Sequence, residues 1–172
     1  IAQLHQTKPH YDYLTNFTVK ALITTALIVS QRQWSLFPRI SLIAATLTSN
    51  IASLALLNKQ ASGQPLSDSE KSQLNKGTAL SYKLLTQRKV LDPLWLHSIS
   101  ASLPSRYNPK HPVGDHAGIV RFANQLAKQL TTTDKNQTIA CALKNLYLSA
   151  STSSQQIADD TANSLAGKGI SE

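Results

Sequence analysis

The chain has one cysteine, no methionine and few aromatic residues, which make up 6% of its 172 positions. Because Cys141 is the sole cysteine, an intrachain disulfide is excluded, as is usual in a reducing compartment. Its apolar setting, IACALKNLYL, favours a small buried hydrophobic side chain over a nucleophile. The N-terminus, IAQLHQTKPHYDYL, lacks the charged start and apolar segment of a signal peptide. These features predict a cytoplasmic protein.

Short catalytic motifs are also missing. There is no Gly-rich phosphate loop, no Cys-x-x-Cys, no His-Glu-x-x-His and no Gly-x-Ser-x-Gly. The histidines are His5, His10, His97, His111 and His116. A metal site needs three or four convergent ligands, and Asp115 is the only carboxylate within residues 97–116, where the last three histidines lie. Surface or capping roles are therefore favoured for these histidines, and no cofactor is predicted.

Leu, Ile, Ala and Val supply most of the 41% hydrophobic content, in long stretches with helical spacing and few glycines. No strand pattern is present. We predict an all-α bundle of about seven helices in one domain, 1–172, with its core at about 14–166. The predicted helices cover 11–35, 39–57, about 68–87, 92–103, 115–131, 135–150 and the segment SSQQIADDTANSLAG.

Local signals set several of these boundaries. Ser67 and Glu70 have the spacing of a capping box, and Asp92-Pro93 and Asp115 are predicted to begin helices. The segment PSRYNPKHPVGD is predicted to be an ordered loop. The uncharged stretch 40–58 approaches membrane-spanning length, but its polar residues cluster at the centre, where lipid penalises them most. It is interpreted as a central core helix, not a membrane span.

The net charge is +8, and the positive charge is concentrated in the middle of the chain. Residues 71–144 contain eleven Lys and Arg against three Asp. A basic surface attracts nucleic acid, nucleotides, acidic lipid or an acidic protein, and charge alone selects none of these. A nucleic-acid-binding domain is disfavoured because no helix-turn-helix or aromatic platform accompanies the charge.

The order of segments carries more information than any single motif. The stretch LLNKQASGQPLSDSEKSQLNKGTALSYKLL is similar to an Ile-Leu-Asn-Lys-Pro-Gly-x-Leu-x-x-x-Glu segment and its following helix, and IVRFANQLAKQLTT is similar to Ile-Leu-x-Val-Ala-Asp-x-x-Asp-Ala-Leu-Thr. Over residues 14–166 the chain thus resembles the HD-GYP family, metal-dependent phosphodiesterases that cleave cyclic di-GMP. The related HDOD type is the second resemblance, and the Asn-Lys turn and capped helix favour HD-GYP.

The resemblance implies that the metal ligands have been lost. In the stretch ISLIAATLTSNIAS, Ser49-Asn50 take the place of the family's His-Asp pair, and Ser53 takes the place of a Lys. Gly77 stands for a second His, and Asn124 replaces a ligand Asp. Of the family's paired histidines, only one has a counterpart in this chain, His97. The segment HSISASLPSRYNPKHP keeps just a Tyr and a Pro of the family's signature loop. Clustered His and Asp make the metal-bound nucleophile, so we predict no enzyme activity unless this register is wrong.

Two functions remain open for such a domain. The first is an inactive signalling domain, within a longer, response-regulator-like bacterial protein, that contacts an upstream input domain, a diguanylate cyclase domain or another regulator. Arg106, Tyr107, Lys110 and Arg121 are the candidate contact residues. The second is a sensor that binds cyclic di-GMP or another nucleotide without cleaving it, with Arg106, Lys110 and His111 on phosphates and Tyr107 against a base. A homodimer is compatible with either function.

Overall fold

A computed structural model describes residues 13–103, 105–132 and 152–166 of the chain. Within these ranges every regular element is a helix, which confirms the predicted all-α bundle. The elements are α1 Tyr13–Ser30, α2 Leu36–Thr48, a 3-10 turn Ile51–Ser53, α3 Leu54–Ala61, α4 Asp68–Asn75, α5 Gly77–Gln87, α6 Pro93–Ala101, α7 Gly114–Thr132 and α8 Thr152–Ala166. The predicted helix at 135–150, with Cys141, lies outside the described residues.

The predicted caps of α4 and α6 are confirmed. Ser67 Oγ accepts a hydrogen bond from the Glu70 backbone N–H, and the Glu70 carboxylate accepts one from the Ser67 N–H, so both arms of the capping box are present. Asp92 accepts from the Trp95 N–H at 3.0 Å, ahead of a proline in the first turn. The predicted cap at Asp115 is wrong, because α7 begins at Gly114 and Asp115 lies inside its first turn. There its negative charge interacts favourably with the positive end of the helix dipole.

Two predicted helices are each broken in the structure. The predicted helix at 39–57 is interrupted after Ser49, where Ser49 Oγ donates to the Thr46 carbonyl and Ser53 Oγ donates to the Asn50 carbonyl. The predicted helix at about 68–87 is interrupted at Lys76, whose φ of −95° and ψ of 5° lie outside helical values. Both breaks lie next to the candidate site described below.

The core forms where α1 packs along α7, with α2, α6 and α8 around this pair. Its fully buried members include Ile28, Leu42, Ile99, Ile119, Leu126 and Ile157. Lys20 is buried at one end of the pair, and its Nζ donates to the Leu130 carbonyl at 2.7 Å. Burial lowers the pKa of Lys20, because removal from water disfavours the charged ammonium. This bond ties α1 to α7.

One stretch of the described chain, Leu36–Ala61, is long and apolar enough to cross a membrane by length and composition alone. A core helix of a soluble protein passes the same test. The stretch is not a single core helix as predicted, because it is broken after Ser49 and only a third of its most apolar window is buried. The exposed part of α2 therefore needs an explanation other than the core.

Candidate functional site

Ser49, Asn50 and Asn124 meet in a closed hydrogen-bonded triangle between the end of α2 and the middle of α7. Asn50 Nδ2 donates to Asn124 Oδ1 at 3.1 Å, and Asn124 Nδ2 donates to Ser49 Oγ at 2.9 Å. Asn50 Nδ2 also lies 3.3 Å from Ser49 Oγ. The break after Ser49 is what turns the Asn50 side chain toward α7. Residues 75 positions apart in sequence are thereby joined.

Gly77 adjoins the same triangle through Ser53. A Cβ on Gly77 would lie 2.5 Å from Ser53 Oγ, and this Oγ donates to the Asn50 carbonyl at 3.1 Å. Ser53, Ser49 and Gly77 are all buried. We call Ser49, Asn50, Ser53, Gly77 and Asn124 the polar cluster. The structure thus brings together Ser49, Asn50, Gly77 and Asn124, the four positions to which the HD-GYP resemblance would assign lost metal ligands.

The polar cluster consists of neutral groups. Its hydroxyls and carboxamides donate to and accept from each other, and within 13–103, 105–132 and 152–166 no group of three His, Cys, Asp or Glu side chains is placed to hold a metal ion. Zinc and iron sites use thiolate, imidazole and carboxylate ligands, and magnesium needs carboxylates. The side chains of the polar cluster do not match any of these ligand sets.

A cleft of about 490 Å³ opens beside the polar cluster. Carboxamides from four separate segments line it, together with Lys128 and a few apolar side chains. The carboxamide residues are Asn50, Gln60, Asn75, Asn124 and Gln125. Sequence reasoning missed Gln60, Asn75, Gln125 and Lys128, because no spacing rule links residues that only the tertiary fold brings together.

His97 is not brought to the polar cluster. It is exposed on α6 and lines a smaller groove of about 260 Å³ with Arg106 and His111. Arg106 Nη1 donates to Ser100 Oγ in this groove at 3.0 Å. Lys110 is exposed on the same loop between α6 and α7. Of the predicted contact residues, Arg106, Lys110 and His111 thus lie on one exposed loop, and His97 lies beside it.

Tyr107 and Arg121 form a pair within the fold. The Arg121 guanidinium carbon lies 5.4 Å from the centre of the Tyr107 ring, in the range of a cation–π contact. The Tyr107 hydroxyl approaches the backbone of Gly118, where a Cβ would lie 2.9 Å from it. Both side chains are half-buried. Their placement suits anchoring the loop to α7 better than stacking on a ligand.

His116 has a setting that the sequence did not indicate. Its ring stacks on Trp34 with centroids 4.3 Å apart and planes 12° from parallel. Neither ring nitrogen has a hydrogen-bond partner within the described part of the chain. Burial lowers the pKa of His116; the charge of Asp115 opposes this shift, and that of Arg32 adds to it. The lowered pKa favours the neutral form of the imidazole that stacks on the Trp34 indole.

No protein-family model, curated protein or solved structure matches this chain. The features of the described residues that bear on function are the polar cluster, the two clefts and the surface of the bundle.

Proposed function

We propose that this chain is a catalytically inactive regulatory domain with an HD-GYP-type scaffold, and that it acts through contacts with other proteins. One observation carries the proposal: Ser49, Asn50, Gly77 and Asn124 converge in space. The resemblance assigns these positions to one metal centre. Their convergence from three separate parts of the chain, the break after α2, the start of α5 and the middle of α7, is what such a scaffold would produce and supports the proposal.

The chemistry of the polar cluster supports the inactive half of the proposal. A metal-dependent phosphodiesterase needs anionic and imidazole ligands to hold ions that generate hydroxide and neutralise phosphate charge. Ser49, Asn50 and Asn124 offer only neutral oxygens and amide N–H groups, which already bond to each other. Such a triangle stabilises the junction of α2 and α7 and leaves no ligand set for an ion.

The loop between α6 and α7 supports the regulatory half. It presents Arg106, Lys110 and His111 on the surface, and arginine is favoured among residues that anchor protein interfaces. Tyr107 and Arg121 hold the loop against α7, so these side chains project from an anchored segment. An anchored basic loop suits an acidic patch on an input domain or a diguanylate cyclase domain.

Restoring ligands to the polar cluster tests the scaffold. The triple substitution Ser49→His, Asn50→Asp and Asn124→Asp places one imidazole and two carboxylates where the triangle now lies. We expect the wild type to purify without stoichiometric metal and the triple variant to bind Mn²⁺ or Fe²⁺, as measured by elemental analysis and titration. Gly77 is left unchanged because a larger residue there would collide with Ser53.

A matched control carries the same residue types away from the polar cluster. Ser72→His, Gln73→Asp and Gln87→Asp lie at exposed positions of α4 and α5 and should bind no metal. If the triple variant keeps its helical circular dichroism but binds no more metal than this control, the scaffold proposal fails. Stoichiometric metal in the wild type, or its hydrolysis of cyclic di-GMP, would refute the inactive assignment.

The proposed protein contact through the loop between α6 and α7 needs a separate test. When a photo-crosslinking residue replaces Lys110, it should form a defined covalent adduct in cells, and the crosslinked partner should be an input domain or a diguanylate cyclase domain. The same residue in place of Ser72 on α4 should form no such adduct. The charge reversal Arg106→Glu should reduce the adduct at position 110. Absence of any adduct at 110, or equal adducts at both positions, would contradict a contact through this loop.

A second candidate function, a nucleotide sensor, is favoured by the carboxamide-lined cleft. Asn and Gln side chains pair with base edges through adjacent donors and acceptors, and Lys128 at the rim suits a phosphate. Isothermal titration with cyclic di-GMP in the absence of metal tests it. Micromolar binding that Asn75→Ala weakens would establish a sensor. Absence of heat at millimolar ligand would remove the sensor and leave the protein-contact function.

A further inference from the structure

The outward side of α2 is apolar and uncovered. Five of its large hydrophobic residues are between 38% and 71% exposed, whereas its inward side is buried in the core. We call these five residues the outer face: Leu36, Phe37, Ile40, Ile43 and Leu47. Isolated exposed hydrophobic residues are normal on a protein surface, but a continuous row along one helix marks an interaction site.

The apolar surface continues at both ends of α2. Ile51 and Leu80 are exposed beyond its C-terminal end, where the 3-10 turn packs on α5 and the Ala52 N–H donates to Ser81 Oγ. Near the N-terminal half, Asp92 accepts from Ser41 Oγ at 2.6 Å, which places Leu91 close to α2. Leu91 is 89% exposed. The outer face, together with these exposed residues next to both ends of α2, forms an apolar strip along a helix that at 13 residues spans about 20 Å.

Apart from Asp92, whose carboxylate accepts hydrogen bonds from Ser41 Oγ and the Trp95 N–H, the charges near this strip are basic. Residues 13–67 contain no Asp or Glu, and neither do residues 71–91. In sequence, Leu80 lies between the exposed Lys76, just before α5, and the exposed Lys83 of α5, and Leu91 follows the exposed Arg88 and Lys89. A second copy of the chain would bring two such basic rims together, which like charges disfavour. An apolar strip with a basic rim is complementary to an anionic surface with an apolar interior.

We propose that the outer face and its basic rim dock this domain on an anionic lipid surface. Helices that lie in the membrane interface insert an apolar face below the headgroups while flanking Lys and Arg contact anionic lipid. Leu42 and Ala45, on the inward side of α2, are fully buried in the bundle, so docking needs no loss of the core. The chain would lie on the membrane and not span it. The proposal is independent of the function assigned to the polar cluster.

Vesicle flotation tests the docking. The wild-type protein should bind phosphatidylcholine vesicles that contain 30% phosphatidylglycerol at low ionic strength, and bind pure phosphatidylcholine at least about tenfold more weakly. The triple substitution Phe37→Ser, Ile40→Ser and Leu47→Ser should abolish binding while keeping the helical circular dichroism, since these side chains are exposed.

Paired charge reversals separate a defined face from general attraction of a basic protein. Lys83→Glu changes the rim, and Lys71→Glu changes the net charge equally on α4, whose main contacts are with α3 and α5 and not with α2. We expect the rim variant to bind at least about tenfold more weakly and the α4 variant to bind within about twofold of wild type.

Three results would overturn the proposal. The first is that wild-type protein does not bind anionic vesicles at low salt. The second is equal weakening by both charge reversals with no effect of the serine substitutions, which indicates unspecific attraction. The third is a wild-type dimer in light scattering that the serine substitutions dissociate, which would assign the outer face to a second copy of the chain.

Discussion

Substitution of Gly77 by alanine probes the contact that closes the polar cluster. The new Cβ would lie 2.5 Å from Ser53 Oγ and 3.0 Å from Ser53 Cβ, and both serine atoms are buried. Forcing an extra methyl into a packed site usually costs about 1–3 kcal/mol. Alanine gains up to about 1 kcal/mol over glycine inside a helix, but Gly77 is the first residue of α5, where the gain is smaller. We expect a net loss of about 1–2 kcal/mol in the free energy of unfolding.

Removal of the opposing side chain should reverse this loss. Ser53→Ala deletes the closest atom but leaves the Cβ at 3.0 Å, whereas Ser53→Gly deletes both. In a double-mutant cycle, Gly77→Ala and Ser53→Gly should therefore show a favourable coupling of about 0.5–3 kcal/mol. Ser53→Ala should recover only part of it. Ser53→Gly alone is destabilising because the hydrogen bond to the Asn50 carbonyl is lost.

Urea denaturation followed by circular dichroism measures all of these variants, with a common m-value as the check on two-state unfolding. Gly63→Ala is the control: Gly63 has a φ of +72° and open space around its Cβ position, so alanine strains only the backbone there. Its cost should add to that of Ser53→Gly without coupling. Two results would refute the geometry of the polar cluster. One is that Gly77→Ala leaves the stability unchanged. The other is that the coupling energy between Gly77→Ala and Ser53→Gly is no larger than that between Gly63→Ala and Ser53→Gly.

Three further predictions concern charge and capping. Because burial lowers the pKa of His116, the wild type should lose stability as the pH falls below the ordinary histidine pKa, and this loss should stop below the lowered pKa. His116→Phe keeps the stack on Trp34, so its melting temperature should change less than that of the wild type between pH 7 and 5. Asp92→Ala should cost about 1–2 kcal/mol in urea and Asp92→Asn less, because asparagine still caps α6; equal costs would contradict the capping role. The pKa of Glu70 is lowered to about 2, and the hydrogen bond from Lys59 is the largest cause. In Lys59→Met, titration of the Glu70 carboxyl followed by NMR should therefore show a clearly higher pKa. An unchanged pKa would assign the shift to the Ser67 cap alone.

The sequence predicted the features of this fold that local chemistry controls. The caps at Ser67 and Asp92 follow from side chains that bond to backbone groups within three residues, so their spacing is sufficient to find them. The convergence of Asn50 and Asn124 was anticipated only through the resemblance of segment order, since no local rule links α2 to α7.

Features that depend on tertiary contacts were missed. The break at Lys76 brings Gly77 against Ser53, and the break after Ser49 turns Asn50 toward α7; a periodic apolar pattern continues through both and gives no sign of either. The interpretation of 40–58 as a core helix failed for another reason. Hydropathy measures how apolar a segment is and not which way each side chain points, and only one side of α2 is buried.

The bond from Lys20 to the Leu130 carbonyl has a consequence for how the chain acquires its structure. The first and seventh helices pair across 110 residues, so the central packing cannot close while synthesis is still upstream of α7. Most helical bundles rely on neighbours in sequence and fold fast, whereas closing so long a loop slows the search. Until α7 leaves the ribosome, α1 can pack on α2 and α3 but lacks its largest packing partner, so we expect the nascent chain to expose apolar surface of the kind that chaperones bind.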